Sequence, residues 1–223
     1  MARTTRTYDH FCMLARALEQ VGDRWTLLVV RDLLGGPRRF TDLMNLLGGI
    51  TAKTLSQRLR ELEAAGIVDV DREVGRREVR YRLTPAGEEL APAVEALFMW
   101  GLRHARRPPA PGERVHPEHL LKSFRILLAR TTPPRQPLVW HIDVTDDGAY
   151  TLAFDGETWT LADRAAGTTS QVTITTDGDA LARLFMTPAA ERPEVPPGIE
   201  LSGDRRQIDQ FRRLLSRFPD GDE

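Results

Sequence analysis

The first part of the chain spaces its apolar side chains with the 3.6-residue period of helices. Residues 10–21 place five of them on one stripe, namely Phe11, Leu14, Ala15, Leu18 and Val21. Asp23 precedes the strongly apolar run WTLLVVRDLL as a candidate N-cap, and Gly35-Gly36-Pro37 ends that run. We expect this run to be the central helix of the region.

Two more helices are predicted before residue 66. One covers residues 40–47, with Thr41 as a candidate cap, and Gly48-Gly49 ends it. The other begins after Thr51, a favoured N-cap residue. It ends before Gly66, at the position where glycine commonly terminates a helix.

The period then changes from 3.6 to 2. Residues 67–71 and 79–83 alternate as two short strands, and the turn Glu73–Arg77 joins them with two arginines at its tip. We therefore predict a β-hairpin. Thr84-Pro85 opens the next helix, which we expect to reach about residue 105 with a kink at Pro92.

A proline-rich segment divides the chain. Residues 106–117 hold four prolines and one glycine, which a helix interior or a central strand does not accommodate. Behind it the pattern predicts helices over 117–129, 179–186 and 204–218, four strands between residues 138 and 176, and a short strand before the last helix. The prediction is an α+β protein with a front domain over 1–107, a linker over 108–117 and a rear α+β domain over 118–223, whose sheet is mostly antiparallel.

Composition narrows the class of protein. The 223 residues are 41% hydrophobic and 28% charged, which excludes fibrous, collagen-like and disordered chains. One cysteine excludes an internal disulfide, and no apolar run reaches the roughly 18 residues of a membrane span. The N-terminus has no apolar stretch typical of a secretory signal. We expect a cytoplasmic protein without a membrane partner.

The net charge of −1 conceals an asymmetry. Residues 1–107 carry 18 Lys and Arg against 14 Asp and Glu, a net of +4, whereas residues 108–223 carry 13 against 18, a net of −5. This distribution indicates that only the front part faces a polyanion.

Three helices followed by a hairpin with a basic tip predict a winged helix-turn-helix. In the helix that follows Thr51, successive residues are about 100° apart around the axis. Leu55, Leu59 and Leu62 therefore lie within about 60° of one another and should pack inward. The opposite face carries no acidic residue before Glu61, and it presents Lys53, Gln57 and Arg60.

The side chains of this region suit double-stranded DNA. Lysine can donate to guanine and glutamine can pair with adenine in the major groove, while Ser and Thr can donate or accept. Arg58 and Arg60, farther along the same helix, and Arg38 and Arg39, before the helix-turn-helix, are expected to bind backbone phosphate. Arg76 and Arg77 at the hairpin tip are expected to enter the minor groove or bind phosphate. A solvated charged face is the alternative, but three basic features within one stretch favour DNA. The candidate contacts are Arg38, Arg39, Thr51, Lys53, Thr54, Ser56, Gln57, Arg58, Arg60, Arg76 and Arg77.

The stretch from Cys12 to about Gly101 resembles the HxlR family of bacterial winged-helix regulators. The resemblance rests on GDRWTLLVVRDLLGGPRRFTDL, GITAKTLSQRLRELEAAGIVD and EVRYRLTPAGEEL, in order and at family spacing. Two departures are Cys12-Met13 in place of Cys-Pro, and Gly22-Asp23-Arg24-Trp25 in place of Gly-Gly-Lys-Trp. Neither affects the predicted DNA face.

The resemblance implies a two-fold dimer on an inverted repeat, held by the first helix and the helix after the wing. Apolar residues on those elements are Phe11, Leu14, Leu97, Phe98 and Trp100, for which core packing within one chain is the alternative. Some family members resemble redox switches with a cysteine at the position of Cys12. Arg16 could supply the positive charge that a reactive thiolate needs, whereas crowding by Phe11, Met13 and Leu14 favours an inert cysteine.

Residues 118–218 resemble the sterol-carrier-protein type 2 fold. The resemblance rests on WHIDVTDDGAYTLAFDG, ETWTLADRAAGTTSQVTITTDGDALARLF and GIELSGDRRQIDQFRRLLSRF. It implies an apolar tunnel for a lipid-like ligand, for which an ordinary hydrophobic core is the alternative. The candidate lining is Trp140, Phe154, Trp159, Leu184, Phe185 and Phe211.

These residues are compatible with several functions. The first is a sequence-specific transcriptional regulator, acting as a repressor, whose rear domain binds an apolar effector or supports the dimer. The second is a carrier of lipids or other apolar ligands with an accessory DNA-binding-like module, and a thiol redox regulator through Cys12 is a further alternative. An enzyme is not expected, since no catalytic motif stands out and the pair His116 and His119 lacks further metal ligands beside it. No cofactor is expected.

Overall fold

The structure is a computed structural model that describes residues 7–71, 78–145, 147–187 and 191–216. It divides into two compact units, Met1–Leu97 and Phe98–Glu223, and each has a hydrophobic core of its own.

The first unit is mainly helical with a small antiparallel sheet of order β1-β3-β2. Its elements begin with α1 (Met13–Val21), α2 (Thr26–Leu33), β1 (Arg38–Arg39), α3 (Phe40–Leu47) and α4 (Ala52–Ala64), and continue with β2 (Val68–Asp71), β3 (Arg80–Leu83), α5 (Pro85–Glu88) and α6 (Ala91–His104). The division between the units falls within α6, since Met99 and Leu102 belong to the core of the second unit. The domain bounds predicted from the sequence stay a prediction, and residues 106–116 form neither helix nor strand.

Several local predictions for the first unit are confirmed. Helix α3 has the predicted bounds, and α4 begins after Thr51 and ends before Gly66, whose φ of 70° is one that glycine adopts without strain. Thr84 caps α5, because its hydroxyl oxygen accepts the amide of Gly87 at 3.2 Å. Strands β2 and β3 pair as an antiparallel hairpin, whose turn lies outside the described residues.

Other predictions at helix ends are wrong. Asp23 does not cap α2 directly, because the helix begins at Thr26, and its carboxylate instead accepts the amide of Trp25 at 3.0 Å. Helix α3 is capped by Arg39 rather than Thr41, since Phe40 is already helical. The helix predicted to kink at Pro92 is two helices, α5 and α6. The break places the proline in the first turn of α6, where a missing amide costs no hydrogen bond.

Helix α1 differs from the prediction in what it buries. It begins at Met13, and of the five stripe residues only Ala15 and Val21 are buried. Phe11, Leu14 and Leu18 are exposed to solvent in the single chain.

The second unit is a five-stranded sheet with three helices, as the α+β prediction requires. Its elements are α7 (Pro117–Ala129), β4 (Leu138–Val144), β5 (Gly148–Phe154), β6 (Trp159–Asp163), β7 (Val172–Thr176), α8 (Gly178–Met186), β8 (Glu200–Gly203) and α9 (Arg205–Leu215). The strand order is β6-β5-β4-β7-β8, and among the described strands only the pair β4 and β7 is parallel. The sterol-carrier resemblance itself stays a prediction.

Alternation along the central strands decides which side of this sheet is buried. Trp140 and Ile142 of β4 are buried in register with residues of β5 and β7, and apolar residues of α7, α8 and α9 belong to the same core. No helix among the described residues is long and apolar enough to cross a membrane.

Candidate nucleic-acid interface

Helix α4 is the element that presents the predicted contact residues. The hydroxyl of Thr51 accepts the amide of Thr54 at 3.1 Å, and the two hydroxyl oxygens lie 2.8 Å apart. This N-cap satisfies one of the free amides at the start of the helix, and the first turn contains no acidic side chain. The N-terminus of α4 therefore keeps the positive partial charge that favours a nearby phosphate.

The predicted rotation of α4 is confirmed. Leu55, Leu59 and Leu62 are buried, with at most 2% of each residue exposed, in a core that also contains Val29 and Leu43. The side opposite these leucines carries three polar side chains at helical spacing, Lys53, Gln57 and Arg60. Lys53 and Arg60 are exposed, and neither forms an ion pair within the part of the chain that the structure describes.

Arg58 lies away from that face. Its guanidinium pairs with Asp23 at 2.5 Å and with Glu61 at 2.6 Å, and only 11% of its side chain is exposed. The assignment of Arg58 to phosphate stays a prediction; in the single chain its charge is directed at two carboxylates, which hold it at the edge of the core. The helical wheel contained a signal for this, because Arg58 lies only about 40° from Leu62.

Gln57 also has a partner on its own helix. Its amide nitrogen Nε2 donates to Oε1 of Glu61 at 2.9 Å. Thr54 and Ser56 flank the exposed face and are half-buried, whereas Thr51 is exposed.

The arginines before α3 lie on a strand that the sequence did not predict. Arg38 and Arg39 form β1, opposite Tyr81 and Arg80 of β3. Arg39 pairs with Glu78 at 2.5 Å, and Glu78 also lies 3.9 Å from Arg80, with all three side chains nearly half exposed. Exposed pairs of this kind contribute little to stability, so a phosphate can compete for the arginines.

Arg80 is a candidate contact that sequence reasoning missed. The sequence places it only on the polar side of the strand predicted over residues 79–83, and its closeness to Arg39 follows from the pairing of β1 with β3. The predicted contacts Arg76 and Arg77 lie outside the described residues.

The residues predicted at a dimer interface are mostly exposed. The exposed fractions are 81% for Phe11, 66% for Leu14, 53% for Leu97 and 56% for Trp100, so these four are not core residues of the single chain. Phe98 is half-buried and packs against the core of the second unit.

Cys12 is half-buried and immediately precedes α1. The backbone amide of Arg16 donates to its carbonyl oxygen at 3.0 Å, which places Arg16 one turn farther along. Phe11, Met13 and Leu14, which the sequence predicts around the thiol, are exposed in the single chain, and the choice between a reactive and an inert cysteine stays open.

The six candidate pocket residues pack against one another in the second unit. Trp140 lies 5.2 Å from Trp159 and 4.9 Å from Phe211 between ring centroids, and Phe154 lies 5.2 Å from Trp159. Leu184 and Phe185 belong to the same core. A surface cleft of about 340 Å³ lies elsewhere, between residues 192–194 and 209–216, and none of the six candidate residues lines it.

Metal ligands do not gather within the described ranges. His116 and His119 stack edge to face with ring centroids 5.2 Å apart. No group of three or more His, Cys, Asp or Glu side chains in the described part of the chain could hold a metal ion.

Comparison with known proteins places the first unit in a family. Residues 20–108 match the model of the HxlR-like helix-turn-helix family. The uncharacterized HTH-type transcriptional regulator YkvN of Bacillus subtilis is 39% identical over 107 residues, which cover 46% of this chain and 89% of YkvN. The chain belongs to the HxlR-like helix-turn-helix family.

Other relatives of this HxlR-like chain carry similar names. The uncharacterized HTH-type transcriptional regulator Rv3095 of Mycobacterium tuberculosis is 44% identical over 99 residues, and the match spans 44% of this chain and 62% of Rv3095. A solved structure of the redox regulator HypR in its oxidized form is 31% identical, with a TM-score of 0.40 over 43% of this chain and 98% of that chain.

Proposed function

We propose that this HxlR-family protein is a transcriptional regulator that binds double-stranded DNA in a sequence-dependent way. The observation that carries the proposal is the division of α4 into a buried leucine side and an opposite side with exposed Lys53 and Arg60 and half-buried Gln57. The helix N-terminus approaches phosphate, Gln57 and Lys53 read base edges, and Arg60 binds the backbone.

Strand β3 supplies a second group of contacts in this proposal. Arg39 and Arg80 lie opposite each other, and both are near Glu78. When a phosphate replaces Glu78 as their partner, the two arginines hold the DNA backbone beside the groove that α4 enters.

The protein acts as a dimer on an inverted repeat and as a repressor. Exposed apolar side chains on α6, on α1 and just before α1 support the dimer, because Phe11, Leu14, Leu97 and Trp100 would leave water when a second copy covers them. An apolar effector, support of the dimer by the second unit and redox sensing through Cys12 stay predictions from the sequence.

The experiment is a binding series on a duplex that the protein selects from a random pool. The logarithm of the affinity should fall linearly with the logarithm of the salt concentration, by about 0.9 for each phosphate contact. Arg60→Ala should lower that slope by about one contact and weaken binding to all sequences alike. Gln57→Ala should instead reduce the preference for the selected duplex by roughly 1–3 kcal/mol and leave the slope unchanged.

Arg135→Ala is the matched control, because it removes an exposed arginine of the second unit, and it should change neither quantity. Affinity that does not depend on salt, or equal effects of Arg60→Ala and Arg135→Ala, would contradict the proposal.

A further inference from the structure

A chain of polar contacts links the exposed face of α4 to the start of α2. Glu61 accepts the amide of Gln57 on Oε1 at 2.9 Å and pairs through Oε2 with Arg58 at 2.6 Å. Arg58 pairs through its other terminal nitrogen with Oδ2 of Asp23 at 2.5 Å. The second oxygen of Asp23 accepts the backbone amide of Trp25 at 3.0 Å. Each group in this chain therefore has its position fixed by the next.

We propose that Glu61 is a positioning residue that fixes the side-chain amide of Gln57 for base recognition, and that Arg58 holds Glu61 in place. This inference rests on the proposed function. It assigns to an acidic residue, which would by itself repel DNA, a part in the choice of base.

The hydrogen-bonding capacity of a glutamine amide allows both partners at once. The amide has two N–H donors and one oxygen acceptor, and the bond to Glu61 uses one donor. The remaining N–H of Gln57 can donate to N7 of adenine, and the amide oxygen of Gln57 can accept from its N6 amino group. With the amide already ordered, less side-chain freedom is lost when the base is bound.

Arg58 distinguishes this arrangement from an ordinary surface contact. Pairs three or four residues apart on an exposed helix contribute little and exchange readily with water. Only 11% of the Arg58 side chain is exposed, and its guanidinium is held by one carboxylate of α4 and one of the segment before α2. Arg58 also offsets part of the charge of Glu61, and Lys53 and Arg60 supply the positive charges of the face that meets DNA.

The test measures base preference position by position. Each base pair of the selected duplex is replaced in turn by the other three, and affinities are compared for wild type, Glu61→Ala and Glu61→Gln. Gln57→Ala identifies the base pair at which Gln57 contributes to the preference. At that base pair Glu61→Ala should discriminate the preferred base from the other three about tenfold less well than wild type, and the preferences at the other base pairs should be unchanged. Glu61→Gln removes the same charge but keeps an acceptor oxygen, so it should retain most of the preference.

Two comparisons separate positioning from charge and from folding. Glu63→Ala removes an exposed carboxylate from the same helix and should leave every preference as in wild type. The double variant Gln57→Ala with Glu61→Ala should discriminate no worse than Gln57→Ala alone, because the two residues act as one unit. Melting curves of Glu61→Ala and Glu61→Gln should overlay, so that folding does not explain a difference between them.

Three results would overturn the inference while leaving the proposed function intact. They are an unchanged preference in Glu61→Ala, a uniform change at all positions, and additive losses in the double variant. A wild-type protein that prefers no duplex over random DNA is a different result, and it would overturn the proposed function together with this inference.

Discussion

Replacing Leu59 with alanine tests the rotation of α4, on which the nucleic-acid interface depends. Leu59 is 2% exposed and lies between Leu55 and Leu62 on the buried side of the helix. Removing a buried leucine side chain loses about 1.5–3 kcal/mol of transfer free energy, and the remaining cavity raises the total to roughly 2–5 kcal/mol. Because both flanking leucines are fixed on the same helix and fully buried, little collapse is expected, and we expect a loss of about 3 kcal/mol.

The assay is thermal and urea denaturation followed by circular dichroism at one fixed protein concentration, since a dimer's stability depends on concentration. Each kcal/mol shifts the melting temperature of a domain of this size by about 4–8 °C, so the Leu59→Ala shift should exceed about 10 °C. Hydrogen exchange of the amides of residues 52–64 assigns the loss to the first unit.

Lys53→Ala is the matched control on the same helix. Its side chain is exposed and alanine favours helix, so stability should stay within about 0.5 kcal/mol of wild type while DNA affinity falls. An unchanged melting temperature in Leu59→Ala would mean that this residue faces water. The assignment of Lys53, Gln57 and Arg60 to the exposed side would then be refuted as well.

Two other predictions concern the dimer and pH. Leu14→Glu should convert a dimer to a monomer in sedimentation, because a carboxylate would be buried between two copies. Leu34→Glu changes another exposed leucine and should leave the dimer intact. Equal sedimentation of the two variants would contradict the proposed interface. The backbone amides of Thr158 and Glu157 donate to Asp155 and hold the pKa of that carboxylate below its ordinary value. Its contribution to stability is therefore complete above the unfolded-state pKa of about 3.9 and is lost as the pH falls through the lower folded-state pKa. Melting temperatures of wild type and Asp155→Asn should thus differ near neutral pH and converge below about pH 4, and a difference that is constant with pH would argue against this role.

The sequence predicted those elements whose signals are local. Helix α7 was found with its bounds because Pro117 marks its first turn and its apolar residues keep the helical period. Strand β4 was found because its run of apolar residues is bounded by turn residues, and α4 because its cap and its leucines agree.

Contacts between distant residues were not predictable in this way. Asp23 and Arg58 are far apart in sequence, so only the folded structure, which brings the segment before α2 beside α4, shows that they form an ion pair. The two-residue strand β1 is too short to alternate and is visible only through its pairing with β3. The exposure of Phe11 and Leu14 was likewise unpredictable, because an apolar stripe has the same pattern whether a core or a second copy covers it.

Strand β1 has a mechanical consequence for how this surface would meet a duplex. Because Arg38 and Arg39 pair with β3, the residue that caps α3 is joined by main-chain hydrogen bonds to the β2–β3 ribbon. A ribbon of two strands is only marginally stable alone, and the third strand anchors it to the helices. Tilting of the helix pair α3 and α4 would therefore carry the ribbon with it, so that both dock as one rigid piece. The amide of Arg39 donates to Oδ2 of Asp42 at 3.0 Å within the first turn of α3, so this one residue belongs to the strand and to the start of the helix at once.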